Sequence, residues 1–109
     1  MKPVVLGRLA RREILAATCL YETRKPGLGA EFADRIAEAL ERIRMAPEGY
    51  QIIHGDVRRV NLRQFRDWAL WFRILPDNTV VVACLSSRMN PQIVKERALG
   101  VLPIRPPKP

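Results

Sequence analysis

The chain has 109 residues, a length that suits one domain with one buried core, and its 48% apolar and 28% charged composition excludes a wholly disordered protein. Nineteen Lys and Arg against eleven Asp and Glu leave a net charge of +8, which favours a polyanionic partner. No apolar run approaches the roughly 18 residues of a membrane helix, and the run within Met1–Leu9 is too short for a signal peptide, so the expected location is the cytoplasm, without a membrane partner.

Along the chain, Val4, Val5 and Leu6 read as a short edge strand running at once into a charged stretch. From Arg8 to about Arg24, Ala10, Ile14, Ala17 and Tyr21 recur in steps of four, three and four, which puts them on one face of a helix. Lys25, Pro26, Gly27, Leu28 and Gly29 interrupt it, because proline cannot donate to the helical ladder and glycine admits backbone angles that other residues avoid. A second helix follows to about Met45, with Phe32, Ile36, Leu40 and Ile43 as its apolar stripe and Glu38 one turn before Arg42, a spacing that permits an ion pair. Pro47 and Gly49 stop it. Two such helices joined by so short a turn form an antiparallel hairpin that needs an apolar sheet beneath it.

Beyond the hairpin the period changes from near 3.6 to 2. In Arg59–Gln64, Val60 and Leu62 alternate with Arg59, Asn61 and Arg63, so one face is apolar and the other basic. Trp68–Leu75 sets Leu70, Phe72 and Ile74 opposite Ala69, Trp71 and Arg73. Pro76, Asp77 and Asn78 then turn the chain into Val80–Leu85, which is apolar on both faces and therefore central in its sheet. A polar segment from Ser86 to Pro91 leads to one or two helical turns ending near Leu99. The fold expected is α+β in the order β-α-α-β-β-β: a short strand, a helical hairpin, an antiparallel sheet of three further strands and a short helical turn. Residues 1–100 form the domain, and 101–109, with four prolines, form a flexible tail.

The sequence carries no glycine-rich phosphate loop, no cysteine pair at zinc spacing and no Gly-x-Ser-x-Gly elbow, so neither cofactor nor metal is expected. His54 is the sole histidine and reads as a loop residue. Cys19 and Cys84 read as small buried hydrophobes, not as a disulfide. Residues 1–57 hold nine basic and eight acidic side chains, and residues 58–109 hold ten and three, so the excess charge lies in the second half. Arg58, Arg59, Arg63, Arg66 and Arg73 fall within sixteen residues, with Arg88 beyond them, and arginine grips phosphate bidentately at any physiological pH. On one face of a strand, Arg59 and Arg63 would stand about 13 Å apart, a span of about two phosphates. Trp68 and Trp71, three residues apart, point to opposite faces and read as packing residues rather than base-stacking platforms.

In order and spacing, several pieces resemble the RelE/ParE toxins of type II toxin–antitoxin systems. They are Tyr21-Glu22, Pro26-Gly27-Leu28-Gly29 with Phe32, Ile43 with Pro47, Val57-Arg58-Arg59, Leu62-Arg63-Gln64-Phe65 before Trp68, and Ser87-Arg88 before Pro91. The resemblance implies a toxin neutralised by a cognate antitoxin protein, as a homodimer or a toxin–antitoxin heterotetramer. Three activities go with it: inhibition of DNA gyrase, as in ParE-like members; cleavage of messenger RNA on the ribosome without metal, as in RelE-like members; or a diverged, inactive antitoxin-binding module. For the RNA-cleaving case it implies Arg59, Arg63 and Arg88 as catalytic residues, with Arg58, Arg66 and Arg73 binding phosphate or the target. No tyrosine or histidine follows His54, so the usual C-terminal acid/base residue is missing, and the Pro-Gly-Leu-Gly piece is more similar to the ParE side.

Overall fold

The computed structural model describes residues 1–98. The tail expected at 101–109 lies outside them. Its elements run β1 (Val4–Leu6), α1 (Arg8–Arg24), α2 (Leu28–Met45), a 3-10 turn (Pro47–Gly49), β2 (Ile52–His54), β3 (Val57–Asn61), β4 (Trp68–Ile74), β5 (Thr79–Ser86) and α3 (Pro91–Ala98). The α+β order is the one the hydrophobic periods imply. The sheet order is β1-β5-β4-β3-β2, with β1 parallel to β5 and every other pair antiparallel.

The helical hairpin closes through one carboxylate. Lys25 N donates to Tyr21 O and ends α1, Gly27 turns with φ 92°, and Glu22 accepts hydrogen bonds from Gly27 N at 3.0 Å and Gly29 N at 3.0 Å. Glu22 thus supplies the acceptors that the first amides of α2 lack, at the end of the helix where negative charge is favoured. Gly29 faces α1 so closely that a Cβ there would lie 2.7 Å from Thr18 O. The absent side chain lets the two helices meet, and α1 and α2 then bury Ala10, Ala17, Phe32, Ile36, Ala39 and Ile43 against Val60, Leu62, Leu70, Phe72 and Val81 of the sheet side.

Aromatic rings lock this core near the hairpin turn. Phe32 sits 5.2 Å from Tyr21, 5.1 Å from Phe65 and 5.7 Å from Trp68 between ring centroids, and Trp68 Nε1 donates to Tyr21 OH at 2.9 Å. Each polar ring atom that is drawn inward here finds a partner, as partly buried tyrosine and tryptophan require.

Four expectations change. The sheet has a fifth strand, β2, whose three residues are too few to display a period; pairing with β3 and contacts with α3 hold it in place. The strand expected over Arg59–Gln64 runs instead from Val57 to Asn61, where its register with β4 ends, and Gln64, at φ 70°, lies in the turn beyond; Leu62 stays buried, its N donating to Trp68 O. Cys19 is exposed on α1 while Cys84 is buried. Finally, the sheet face turned away from the hairpin, expected to be basic along Arg59–Gln64, is covered by α3, which packs Val94 with Val57, Ala69, Trp71 and Ala83 into a second, smaller core.

Candidate functional site

The turns at one end of the sheet gather four of the six arginines singled out above. Since β3 is five residues long, its two ends lie about 13 Å apart, and the Asn61 end carries the cluster. Arg59 leaves β3 on the α3-covered side, lays its guanidinium 5.4 Å from the Trp71 ring centroid and donates from Nη1 to Ser87 O at 2.9 Å. Ser87 belongs to the β5–α3 turn, and its N donates to Asp67 O while its Oγ donates to Arg66 O. The β3–β4 turn and the β5–α3 turn are therefore tied to each other, and Arg66 and Arg88 stand on the tied segments.

Around this junction the cations are weakly neutralised. Arg88 Nη1 is 3.9 Å from Asp67 Oδ1, with side chains 83% and 81% exposed, and Arg63 Nη1 is 3.9 Å from Glu38 Oε1. At 3.9 Å neither pair is a hydrogen bond, and the first is open to solvent on both sides, so it holds little energy. Arg66 is exposed, and its guanidinium has no partner among the described residues. An open cleft of about 300 Å³ is lined by Asn61, Leu62, Arg63 and Arg66. From α2, Arg42 reaches the back of the same turn, donating from Nη2 to Asn61 O at 3.4 Å. Its Nε is buried without a hydrogen-bond partner in the described structure.

The remaining arginines stand elsewhere, which corrects the single basic face expected from alternation. Arg58 points to the side opposite Arg59 and donates to the carbonyls of Glu48 and Tyr50 at 3.2 and 2.8 Å, pinning the segment between α2 and β2. Arg73 lies toward the opposite end of the sheet, its Nη2 2.9 Å from Asp56 Oδ2. That pairing, chiefly through hydrogen bonds, holds the Asp56 carboxyl below its ordinary pKa. Arg63 sits in the turn rather than on β3, so Arg59 and Arg63 do not share a strand face. The two tryptophans do point to opposite faces, and both pack into cores.

Acid–base chemistry at the arginine end would need a proton acceptor. His54 is on strand β2, not in a loop, beside the Val57 end of β3, and its Nε2 is 2.9 Å from Gln92 Oε1. Tyr21 is engaged with Trp68 in the aromatic cluster, and Tyr50 packs against the hairpin-side core. Asp67 is the carboxylate nearest Arg88. The Cys84 thiol is pushed up to about 12 by burial and, secondarily, by the Glu13 carboxylate, which makes it inert as a nucleophile. Among the described residues no three His, Cys, Asp or Glu side chains gather as metal ligands, and no helix is long and apolar enough to cross a membrane.

Two partners in this architecture leave no sequence signal. Glu38 pairs with Arg35 at 3.3 Å and faces Arg63, instead of joining Arg42 one turn away. Asn61 links the turn to α2 through its carbonyl and to Arg66 O through Nδ2 at 3.2 Å. Polar residues of this kind are identified only by what folds next to them.

No family model matches the chain, and no curated protein matches it. Among solved structures, a chain described as a chromosomal ParDE TA system from P. aeruginosa is similar to it with a TM-score of 0.71 at 14% identity, over 79% of this chain and 96% of that one. The two chains share a fold.

Proposed function

We propose that this protein is the toxin of a type II toxin–antitoxin pair, closer to ParE than to RelE, that acts by binding DNA gyrase and not by cutting RNA. The fold shared with a chain of a ParDE system supports the toxin reading. The observation that carries the choice between activities is the arginine end itself: Arg59 and the segments that bear Arg66 and Arg88 are tied through Ser87, but no histidine or tyrosine joins them. Guanidinium groups stabilise negative charge on a phosphate, yet attack by a 2′-hydroxyl also requires a group that takes its proton, and the carboxylate beside Arg88, Asp67, stands 81% exposed in open solvent rather than in an enclosed site. Arg59 is moreover engaged by Trp71 and Ser87 O, a structural position. The arginines then serve to bind, with Arg63, Arg66 and Arg88 facing the target while Arg58 and Arg73 hold the sheet's margins. A cognate antitoxin protein is the second partner of this reading, and a cytoplasmic location follows from it.

Purified protein is expected to inhibit supercoiling by DNA gyrase, and induced expression to halt DNA replication before protein synthesis. Cleavage of messenger RNA on ribosomes, with gyrase unaffected, would instead establish the RelE-like reading and return Arg59, Arg63 and Arg88 to catalytic roles. Neither activity, with retained binding to an antitoxin, would leave the inactive module.

A further inference from the structure

We infer that the arginine end of the sheet grips the sugar–phosphate backbone of duplex DNA, with Arg63, Arg66 and Arg88 as the phosphate contacts. The contact stands on the geometry; only the identity of the duplex, DNA held by gyrase, rests on the function proposed above. Three features converge on it. The β3–β4 and β5–α3 turns are hydrogen-bonded together through Ser87, so their arginines are presented from a rigid edge and not from loose loops. Arg63, Arg66 and Arg88 are all exposed and stand at three separate positions on these two turns, so each is free to take a phosphate of its own. Asn61, Leu62, Arg63 and Arg66 line an open cleft at the β3–β4 turn, and Arg42 adds positive charge from behind. Opposing carboxylates are few: Asp67 and Glu38 each stand 3.9 Å from one arginine. A phosphodiester competes well for guanidinium groups held so weakly, because it can accept from both prongs of the fork.

The aromatic residues decide between duplex and single strand. Proteins that hold single-stranded nucleic acid pair a basic groove with exposed rings on which unstacked bases lie. Here the three Phe, two Trp and two Tyr all fall within the described residues, and each is buried or half-buried. Without a stacking platform the surface reads phosphates, which a duplex offers with its bases already stacked.

Fluorescence anisotropy with a labelled 20-base-pair duplex tests this, using the full chain. Three phosphate contacts give a slope near −3 in the plot of log affinity against log salt, about 40-fold weaker binding at 200 than at 50 mM. Arg63→Gln, Arg66→Gln and Arg88→Gln are each expected to reduce the slope by about one, with unchanged melting temperatures since all three side chains are exposed at the surface. The control is the double variant Arg11→Gln/Arg12→Gln on the exposed side of α1, which is expected to leave the slope unchanged. An equal effect of that control would show binding by net charge alone and overturn the assignment. So would tighter binding of a single strand of the same length, or of a polyglutamate peptide of equal charge. The gyrase supercoiling assay separates this inference from the functional reading. Duplex binding that follows the three arginines without gyrase inhibition sinks the target and keeps the phosphate edge; gyrase inhibition without duplex binding does the reverse. If both hold, retained inhibition by the three variants assigns the edge to DNA outside gyrase, and lost inhibition to DNA within it.

Discussion

At the scale of single residues, Gly29 is the position where the fold tolerates least. Its missing Cβ would be 2.7 Å from Thr18 O and 2.9 Å from the Glu22 side chain, so Gly29→Ala must push α2 off α1 or displace the capping carboxylate. We expect a loss of about 1–3 kcal/mol, the range for overpacked sites, seen as a lower denaturant midpoint with unchanged slope. The two cysteines should separate cleanly: Cys84 is buried with its thiol pushed up to about 12, whereas Cys19 is exposed on α1. A thiol reagent at pH 8 should modify one equivalent quickly in the native protein and the second only after denaturation; fast reaction of both would contradict the buried position of Cys84. Asp56 supplies a pH signature. Its carboxyl is held low by hydrogen bonds from Arg73, so the native state binds the proton less readily than the unfolded chain does. Stability from this pair is present in full above the unfolded carboxylate pKa of about 4 and is lost as pH falls through the lower folded value. The Asp56 side chain is 56% exposed, so Asp56→Asn should cost under about 1 kcal/mol at pH 7 and less still toward pH 3, measured by chemical denaturation at both.

At the scale of elements, the sheet's outer edge is completed by side chains. β1 pairs with β5 only from Thr79 to Val81, and Gly7 N makes the last backbone bond, to Val81 O, before the chain turns into α1. Just beyond, β5 is bulged: Trp71 pairs with Ala83 and Phe72 with Val81, leaving Val82 as the extra residue. The edge groups exposed there are taken up by an ion pair. Glu13 Oε1 of α1 accepts from Cys84 N at 2.9 Å, Arg97 Nη2 of α3 donates to Val82 O at 2.8 Å, and Arg97 Nη1 meets Glu13 Oε2 at 2.7 Å. Together they occupy the donor and acceptor sites that a further residue of a parallel strand would use, and so blunt an edge open to pairing with other chains. Arg97→Met keeps the apolar stem but leaves Val82 O and Glu13 short of a donor. A cost of about 1–3 kcal/mol is expected, the range for unsatisfied buried groups, together with concentration-dependent association in light scattering. A variant that stays as stable and as monodisperse as the parent would remove this role from the pair.

Across the whole molecule, the sheet is covered unequally. The hairpin side carries a broad core with an aromatic cluster, whereas α3 contributes Val94 as its buried residue and is otherwise held by polar contacts, Gln92 with His54 and Arg97 with Glu13. Local opening follows the density of buried apolar contact. Amides of α3 should therefore exchange with deuterium well before those of β4 and β5, and opening there would uncover Trp71 and Arg59 without loosening the hairpin. Equal protection of α3 and the central strands would mean that the smaller core unfolds only with the larger one.

Much of this architecture was legible in the chain because it depends on local periods and on residues with restricted backbones. The 3.6-residue stripes of α1 and α2, the Pro26–Gly29 break and the alternation through Trp68–Leu75 each act over a few neighbours, and they locate the hairpin, β4 and β5 within a residue or two of their observed bounds. The sequence also concentrated arginine in the second half. It did not say where those arginines point, since alternation holds only inside a strand and β3 ends at Asn61, before Arg63. Nor did it reveal the cover that α3 places on the far face, the three-residue β2, or the pairs Glu13 with Arg97 and Glu38 with Arg63. Those partners lie 84 and 25 positions apart. An ion pair across such a distance has no period to read, so only the packing of helices on the sheet brings its charges together.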